Sequence, residues 1–577
     1  MSDLTKAPKT PSHKADEENQ KSNLEAMLGA RHLAHETPSE ILIDAAAESQ
    51  YAEELAGKIA SMRQNFILNQ RLSKPHIPKT PNTADTPIEF LYDKFTLFEK
   101  VLFGKVHIPD DWRKQELNNL KRSLLESKTD ILNYFEEVYG RSHETSIAND
   151  FNVIIDELDY TIANMNSWVQ EKHDAPLTFK NASVYSLREP YGIVLIIGSW
   201  QNPLISLLKP TISAIASGNY PVLYPTPRVG KLTQILTAAF KKHLDPKKHS
   251  VIETEIGVEE LLKQKFNFVY CSAELEYCKK VARLAGDRYI PFATDVTGVN
   301  IAIIDETVDL NSVIPQLVYA KFTNAGQTPF APDVVYVSEH IYQDFIFKLR
   351  IWLNSAYGEN PFKSKDFSRI FDDDQFKLLK TLLNEQSGGL WESTKLIDET
   401  NRLIGPAIIS NAKKESKLRT SIIRGPIMPV VAFSSLEDIN NVEYERKNEI
   451  NNIYYFTSKP ERGTNIIGLY KNSNVYLNDA ATQYHNLFLA TGSNGDYSYY
   501  KLNGQHGFKT FSYARTVQET GDLLLTKKLL PPISNEKYNQ IKMLKLLEKV
   551  KVRHVKLGLL GAGVFVAYKE LFKKKHA

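Results

Sequence analysis

The stretch EPYGIVLIIGSWQNPLISLLKPTISAIASGNYPVLYPTP, residues 189–227, decides the fold. Its first part, YGIVLIIGS at 191–199, is continuously apolar, which is typical of a strand buried on both faces. The helix-like NPLISLLKPTISAIASG at 202–218 and a second short apolar run, YPVLYP at 220–225, follow it. A strand, a crossover helix and another strand predict a parallel βαβ unit.

The same alternation continues outward from this unit. From about Asp44 to Val169 helical spacing dominates, broken by a proline-rich, loop-like insertion at 71–88. Downstream, short apolar runs again alternate with helical segments, which predicts a parallel α/β architecture with helices on both sheet faces. These runs are FNFVYCS (266–272), NIAIIDE (300–306), VVYVS (334–338), VVAFS (430–434) and NIYYFTS (452–458).

Size and composition indicate a globular, multidomain protein of a reducing compartment. The chain has 577 residues, which is more than one hydrophobic core usually organises. Of these residues 42% are hydrophobic and 24% charged, as in an ordinary globular protein. Only two cysteines occur, Cys271 and Cys278, and buried structural thiols are the expected role of both. Residues 1–43 are polar and poor in aromatics, so we expect them to be disordered. They contain no apolar signal-peptide core, and we expect a protein that is not secreted.

The net charge of +3 conceals a strongly basic C-terminal tail. Residues 541–577 contain ten Lys or Arg and two Glu, a charge of 10 − 2 = +8, which leaves −5 for the rest of the chain. From 541 to 550 apolar residues recur at helical spacing between lysines, which predicts a basic amphipathic helix. The apolar run LGLLGAGVFVAY at 557–568 follows; as a helix it would be about 18 Å long, short of a bilayer core of about 30 Å. The pattern favours membrane association over packing on the body or on a partner subunit.

Six segments carry a resemblance to the aldehyde dehydrogenase superfamily, and to its class 3 and fatty aldehyde dehydrogenase branch most of all. The resemblance covers roughly residues 50–520 in the family's order, and the polar segment 1–43 departs from that branch. The segments that carry it are 189–227, PFATDVTGVNIAII (291–304), KFTNAGQTPFAPDVVYV (321–337), GPIMPVVAF (425–433), VYLNDA (475–480) and GQHGFKTFSYART (504–516).

The resemblance implies a Rossmann-type cofactor domain, an α/β catalytic domain and a bridging β arm that pairs two subunits as a homodimer. The predicted organisation, in chain order, is a disordered segment at 1–43, a dinucleotide-binding-type domain at 44–298 with the first arm strands near 175–190, a catalytic-type domain at 299–480, a bridging arm at 481–530 and the basic, apolar tail at 531–577.

The family's catalytic positions are changed in this sequence. Family members carry a nucleophilic Cys where this chain has Pro329, which offers neither a nucleophilic atom nor a backbone N–H for the oxyanion hole. The second oxyanion donor, an Asn in relatives, falls on Gln201, and the general-base Glu falls on Asp295. Thr328 and Thr323 carry hydroxyls near the lost nucleophile, although a loop threonine is usually just hydrogen-bonded.

The cofactor positions implied by the resemblance are mostly degenerate as well. The lysine that holds the adenosine ribose is Tyr224, a glycine of the phosphate turn is Glu276, and the glutamate that holds the nicotinamide ribose is Ile422. A carboxylate at Glu276 would oppose a pyrophosphate. We therefore expect no bound cofactor, or NAD(P) if residual binding survives, and no metal. The cofactor-binding positions as a set are Trp200, Tyr224, Thr226, Ser272 and Ile422.

Three functional hypotheses remain open. The first is an inactive aldehyde dehydrogenase-fold protein that acts as a membrane-associated binding or scaffold protein with an unknown protein partner. The second is a fatty (long-chain) aldehyde dehydrogenase with an unrecognised nucleophile, and the third is a non-catalytic binder of aldehydes or nucleotides. We expect no nucleic-acid partner. The tail predicts the cytosolic face of the mitochondrial outer membrane, the endoplasmic reticulum or a lipid droplet, without choosing among them.

Overall fold

The computed structural model describes residues 96, 100, 111–173, 182–246, 248–296, 298–385, 389–392, 397–413, 416–443, 449–492, 494–495, 498–520 and 531–543. The predictions for segment 1–43, for the insertion at 71–88 and for the apolar run 557–568 lie outside these residues. Within the tail the structure describes residues 531–543, and residues 535–543 of these are helical. None of the described helices is both long and apolar enough to cross a membrane.

Helices precede the first sheet, as the helical spacing there predicts. The two longest helices in this region, residues 112–126 and 152–168, each bury one face. The helix at residues 128–139 ends at Gly140, whose φ of 68° suits a left-handed C-terminal cap. Their bounds are α1 (Trp112–Glu126), α2 (Lys128–Tyr139), α3 (His143–Ser146), a π-helical turn (Ile147–Phe151) and α4 (Asn152–Trp168).

The first large sheet has a Rossmann-type centre of five parallel strands. In spatial order the sheet runs β17-β18-β7-β6-β3-β4-β5. Antiparallel pairing occurs only at one edge, between β17 and β18 and between β18 and β7. Its strands are β3 (Ile193–Ile197), β4 (Tyr220–Tyr224), β5 (Ser250–Val251), β6 (Phe268–Ala273), β7 (Phe292–Val296), β17 (Asn494–Gly495) and β18 (Ser498–Tyr499). The helices between them are α5 (Pro203–Ala216), α6 (Gly230–His243), α7 (Val258–Leu261) and α8 (Leu275–Gly286).

The continuous apolar run of β3 is explained by burial on both faces of this sheet. Ile193, Leu195 and Ile197 belong to one core cluster, whereas Val194 and Ile196 belong to another. Because side chains of a strand alternate between faces, each face receives every second residue. The parallel arrangement predicted from residues 191–225 is therefore confirmed, and a separate hydrophobic core covers each face of the sheet.

The second large sheet runs β10-β13-β14-β9-β8-β15-β16 and is parallel except at β10. Its strands are β8 (Val299–Ile304), β9 (Val334–Ser338), β10 (Gly389–Glu392), β13 (Ala407–Ser410), β14 (Ile427–Phe433), β15 (Ile450–Phe456) and β16 (Asn474–Leu477). The main helices are α9 (Leu310–Phe322), α10 (Tyr342–Tyr357), α11 (Asp373–Asn384), α12 (Lys417–Thr420), α13 (Leu436–Glu443) and α14 (Pro460–Leu469). A small hairpin pairs β11 (Ile397–Asp398) with β12 (Leu403–Ile404).

A separate three-stranded antiparallel sheet joins distant parts of the chain. It consists of β1 (Gln170–His173), β2 (Ala182–Pro190) and β19 (Ser512–Thr520), with β2 in the centre. Helix α15 (Gly504–Thr510) leads into its last strand. These strands fall in the segments from which the sequence predicts a bridging arm; its role in pairing subunits and the domain boundaries stay predictions.

Candidate functional site

The three predicted catalytic positions line one cavity. Gln201 follows β3, Asp295 lies on β7, and Pro329 lies in the loop between α9 and β9. The cavity has a volume of about 30 Å³, and a single water needs about 10–15 Å³. The fold therefore brings together the positions at which relatives place nucleophile, base and oxyanion donor, around space for a small polar group.

The loop that carries Pro329 is held by its backbone. Asn324 and Ala325 have φ of 52° and 50°, and Gly326 follows at 72°. A Cβ on Gly326 would lie 2.2 Å from the carbonyl oxygen of Gly425, so only glycine fits there. The loop turns sharply because three successive residues adopt left-handed backbone, and Pro329 is presented beside Asp295 as a consequence.

Side-chain amides fix the loop further. The amide of Gln327 donates to the carbonyls of Asn324 and Arg369, both at 3.0 Å, and accepts from the N–H of Phe371 at 2.8 Å. Asn300 Nδ2 donates to the carbonyl of Pro329 at 2.9 Å. The side chains of Gln327 and Asn300 thus hold residues 324–329 in place.

Asp295 is enclosed by three hydroxyl donors. Tyr500 donates to Oδ1 at 2.7 Å, while Ser272 and Tyr270 donate to Oδ2 at 3.0 and 3.1 Å. Burial raises the pKa of this carboxyl, and the hydrogen bonds from Tyr500, Ser272 and Tyr270 partly offset the rise. A carboxylate that already accepts three hydrogen bonds has little capacity left for a water that it would have to activate.

A second cavity, of about 20 Å³, shares Gln201 with the first and is lined by Thr323 and Thr328. Thr328 Oγ1 is buried and has no hydrogen-bond partner in the described parts of the chain. The same cavity is also lined by the buried ion pair of Arg141 and Asp150, whose side-chain atoms lie 2.9 Å apart. The two threonines therefore face a different cavity from the one that holds Asp295.

Tyr224, on which the position of the family's ribose-binding lysine falls, is hydrogen-bonded to the loop after β5. Its hydroxyl donates to the carbonyl of Ile256 at 2.6 Å and accepts from the N–H of the same residue at 3.1 Å. Burial raises the pKa of Tyr224, so the hydroxyl stays neutral. Where the resemblance implies a cationic lysine that holds the ribose, this chain has a neutral hydroxyl that is hydrogen-bonded to the two backbone groups of Ile256.

Trp200 closes the switch point of the first sheet. Between β3 and β6 the strand order reverses, and dinucleotides bind outside the carboxyl ends of the strands at such a point. Trp200 follows β3, and its indole N–H donates to Glu274 Oε1, after β6, at 2.8 Å. This hydrogen bond crosses the crevice and places a carboxylate where a pyrophosphate would need positive partners.

Arg228 lies over the same tryptophan. Its guanidinium carbon is 4.6 Å from the ring centre of Trp200 and 5.2 Å from that of Phe371, and the two rings stack at 5.1 Å. Arg228 Nε also donates to Asp372 Oδ2 at 2.9 Å. Asp372 is the first of three consecutive aspartates at 372–374, and it caps α11 by accepting a hydrogen bond from the N–H of Gln375 at 3.0 Å. An ion pair and a stack therefore join the two sheets' loops over the switch point.

The remaining cofactor positions are occupied by packing and pairing. Ile422 is partly buried against the core of the second sheet. Glu276 is exposed and pairs with Lys279 at 2.8 Å. The carbonyl of Thr226 accepts from the N–H of Val229 at 3.0 Å and begins a short helical turn. Ser272 donates its hydroxyl to Asp295, as described above.

Sequence reasoning missed four residues that shape these sites: Tyr500, Glu274, Arg228 and Asp372. Only Asp372 had a signal, because FDDDQF suggests a helix start as well as a solvated loop. Among the residues that the structure describes, no three His, Cys, Asp or Glu side chains are grouped as a metal site requires, and the absence of a metal stays a prediction.

The sequence profile of the aldehyde dehydrogenase family matches residues 106–517. The chain belongs to the aldehyde dehydrogenase family. It is 27% identical over 410 residues to the dimeric NADP-preferring aldehyde dehydrogenase of Rattus norvegicus, covering 70% of this chain and 89% of that protein. It is also 27% identical over 464 residues to aldehyde dehydrogenase family 3 member A2 of Macaca fascicularis, covering 78% and 94%. The predicted family and class 3 resemblance are confirmed.

Solved structures agree with the fold. The substrate-bound state of Staphylococcus aureus AldH superimposes with a TM-score of 0.73 at 24% identity, over 80% of this chain and 99% of that one. The glyceraldehyde-3-phosphate dehydrogenase GapN of Methanocaldococcus jannaschii, complexed with NADP, gives 0.65 at 18% identity, over 76% and 95%. The aldehyde dehydrogenase-like α/β fold with its Rossmann-type domain is therefore confirmed.

Proposed function

We propose that this member of the aldehyde dehydrogenase family does not oxidise aldehydes with NAD(P), and that it acts as a membrane-associated binding or scaffold protein. The observation that carries the proposal is the juxtaposition of Pro329 with Asp295 in one cavity. The family's geometry is kept there, while the group that would attack the aldehyde is missing.

The chemistry of proline supports the first part of the proposal. Pro329 has no nucleophilic atom, and its backbone nitrogen carries no hydrogen for an oxyanion. Loss of one oxyanion donor costs about 10²-fold to 10³-fold in kcat by itself. The carboxyl of Asp295, at the base position, accepts hydrogen bonds from Tyr500, Ser272 and Tyr270, which leaves about one of its four lone-pair sites for a water.

The cofactor crevice supports the same conclusion independently. The groups present do not fit a dinucleotide: Tyr224 offers no charge, Glu274 bridges the switch point, and Arg228 with Asp372 covers Trp200. A pyrophosphate entering there would meet a carboxylate and would have to displace a stacked ion pair. The residues of this crevice therefore do not support the binding of NAD(P).

What the fold retains is a binding capacity. The first cavity combines hydroxyls and amides with the apolar side chains of Ile205 and Leu502. Such a mixture suits a small polar head on an apolar chain. The predicted homodimer would present two such cavities. The basic tail would hold them at an intracellular membrane, on the cytosolic face of the mitochondrial outer membrane, the endoplasmic reticulum or a lipid droplet, where apolar ligands are concentrated.

The test is a pair of measurements on the purified full chain. Aldehyde-dependent NAD(P)H formation is assayed with hexanal and hexadecanal, and NAD⁺ and NADP⁺ binding is measured by calorimetry. We expect no turnover and no binding heat with either nucleotide. Turnover that Asp295→Ala abolishes would refute the proposal, whereas nucleotide binding without turnover would change it to that of a nucleotide binder.

Two observations favour a second candidate, long-chain aldehyde oxidation with another nucleophile. Aldehyde dehydrogenase family 3 member A2 proteins are similar over most of the chain, and the hydroxyl of Thr328, next to Pro329, is buried and has no hydrogen-bond partner among the described residues. The candidate requires that Thr328→Val lower turnover while Thr323→Val, on the same second cavity, does not. Equal rates in both variants would remove it.

A further inference from the structure

Lys209 is a buried lysine in an otherwise small and apolar helix. It lies in α5, only 1% of its surface is exposed, and every residue of that helix is buried. Lysine is almost never fully buried unless it is paired. Lys209 lines the first cavity together with Gln201, Asp295 and Pro329. A primary amine therefore lies in the wall of the cavity from which the family's thiol has been lost.

The surroundings of the amine provide a proton acceptor. Lys209 Nζ donates to Asn503 Oδ1 at 2.8 Å and lies 4.0 Å from Glu157 Oε2. Glu157 Oε1 accepts from the N–H of Gly504 at 2.7 Å, whereas Oε2 takes no hydrogen bond from any described residue. The carboxylate is thus held in place by one oxygen and leaves the other oriented for the ammonium group.

Burial pushes this pair toward its uncharged form. Burial lowers the pKa of Lys209, and the negative charge of Glu157 only partly offsets it. Burial likewise raises the pKa of Glu157, against the effects of Lys209 and of the Gly504 N–H. Desolvation of a lysine in this way is a known route to a nucleophilic amine. Proton transfer from Nζ to Oε2 leaves a free electron pair on nitrogen.

We propose that Lys209 captures aldehydes in the first cavity as an imine, an inference that rests on the non-oxidising function proposed above. The neutral amine attacks the carbonyl carbon, and the carbonyl oxygen takes the proton from nitrogen to give a carbinolamine. Loss of its hydroxyl as water, with a proton returned from Glu157, leaves a C=N bond, which water later hydrolyses. No oxidant is consumed, so the step needs neither a thiol nor NAD(P).

The cavity also contains groups suited to the carbinolamine. The Tyr500 hydroxyl and the Gln201 side chain line it, and Asp295 supplies a carboxyl whose pKa burial raises. Leu502 and Ile205 provide apolar contact for the carbon next to the formyl group. The ligand class is therefore an aldehyde with an apolar chain, held reversibly by a covalent bond.

The test is reductive trapping on the full-length protein. Protein is incubated with hexanal, reduced with sodium cyanoborohydride, digested and mapped by mass spectrometry. We expect the secondary amine at Lys209 to form faster than at exposed lysines, because a lowered pKa raises the fraction of the amine that is unprotonated at neutral pH.

Lys321 is the matched internal control. It is buried, its Nζ donates to the carbonyl of Pro332 at 2.9 Å, and its pKa is lowered to about 8 by burial. It lines neither cavity, so we expect no adduct there. Labelling of Lys321 as fast as Lys209 would show that burial alone explains reactivity and would overturn the proposal.

Lys209→Arg keeps a hydrogen-bond donor opposite Asn503 and Glu157 and cannot form an imine, so it should lose the Lys209 adduct once thermal unfolding shows that it folds. Should that variant fail to fold, the wild-type labelling map still decides. Absence of a Lys209 adduct without NAD(P)H formation overturns the imine alone. Aldehyde-dependent NAD(P)H formation overturns the proposed function, whatever the labelling shows.

Discussion

Trp200 and Glu274 are joined across the switch point of the first sheet by a hydrogen bond of 2.8 Å between indole Nε1 and carboxylate Oε1. The two residues follow different parallel strands, β3 and β6, whose carboxyl ends bound the crevice that dinucleotide-binding folds use. Under the proposed function this bond obstructs a dinucleotide, so a nucleophile placed at residue 329 would not by itself give aldehyde oxidation.

Pro329→Cys tests that consequence directly. The new thiol should react with iodoacetamide, because residue 329 lines the first cavity, yet no aldehyde-dependent NAD(P)H should form since the cofactor crevice is still bridged. Mass spectrometry after alkylation and a spectrophotometric assay give the two readouts. Cys271 and Cys278 are buried and serve as unreactive internal controls. Turnover by the variant would contradict the reading of the crevice.

Arg228→Ala should open the cover over Trp200 at small cost. The guanidinium and its partner carboxylate are both about one-third exposed, so the ion pair contributes about 0–1 kcal/mol and the stacking about 0.5–1 kcal/mol. We expect a loss of about 1 kcal/mol in urea unfolding and a red shift of tryptophan emission. Lys231→Ala, which removes an exposed pair with Glu137, should change neither quantity.

The fold could be predicted from the sequence because its determinants are local and repeated. Buried parallel strands such as β3 need continuous apolar runs, and crossover helices must separate them, so the pattern at 191–225 specifies its own geometry. The catalytic positions were predictable for a different reason: Pro329, Asp295 and Gln201 lie at fixed places in long motifs, and the structure brings them to one cavity.

The partners of those residues could not be predicted. Tyr500 lies 205 positions from the aspartate it contacts, and Asp372 lies 144 positions from Arg228. Neither pair shares a motif. Tyr500 reaches Asp295 because β18 pairs with β7 in the first sheet, whereas Asp372 reaches Arg228 because loops of the two large sheets meet. Lys209 was overlooked for a related reason, since a lone lysine in an apolar helix becomes informative only when the cavity beside it is seen.

The pKa of Asp295 predicts how its substitution responds to pH. Burial raises that pKa, so the protonated carboxyl is favoured in the folded state. The stability this provides is complete below the unfolded value of about 4 and is lost as pH rises through the folded value. Wild type should therefore lose stability relative to Asp295→Asn as pH increases from 4 to 7, measured by denaturant unfolding.

Asp305→Asn is the control of opposite sign. Burial would raise the pKa of Asp305, but hydrogen bonds from Arg462 and Thr307 outweigh it and hold the pKa below its usual value. Its stabilisation is present above about pH 4 and is lost as pH falls through the folded value. Parallel pH profiles for the two variants would contradict both assignments.

Deletion of residues 536–577 tests the membrane part of the proposed function. Residues 541–577 have a net charge of +8, whereas the rest of the chain has −5, and an anionic membrane surface attracts such a basic segment. We expect the tagged full chain to sediment with vesicles that contain phosphatidylserine, and the truncated chain to remain in the supernatant. Replacing Lys573, Lys574 and Lys575 with Gln should weaken binding at low salt only. Unchanged sedimentation of the truncated chain would refute the anchor.

Gly326→Ala tests whether the loop that carries Pro329 is held in its conformation by its backbone. Gly326 has φ of 72°, and a Cβ would approach the carbonyl oxygen of Gly425 to 2.2 Å, a contact with backbone that cannot rotate away. Left-handed strain alone costs about 1–3 kcal/mol, so urea unfolding should show a loss of at least about 2 kcal/mol. Gly286→Ala is the matched control, because a Cβ there meets nothing within 4 Å at the end of α8. It should leave stability unchanged or raise it by up to about 1 kcal/mol. Equal effects of the two substitutions would mean that the loop tolerates movement, and that the position of Pro329 beside Asp295 is not fixed by the backbone.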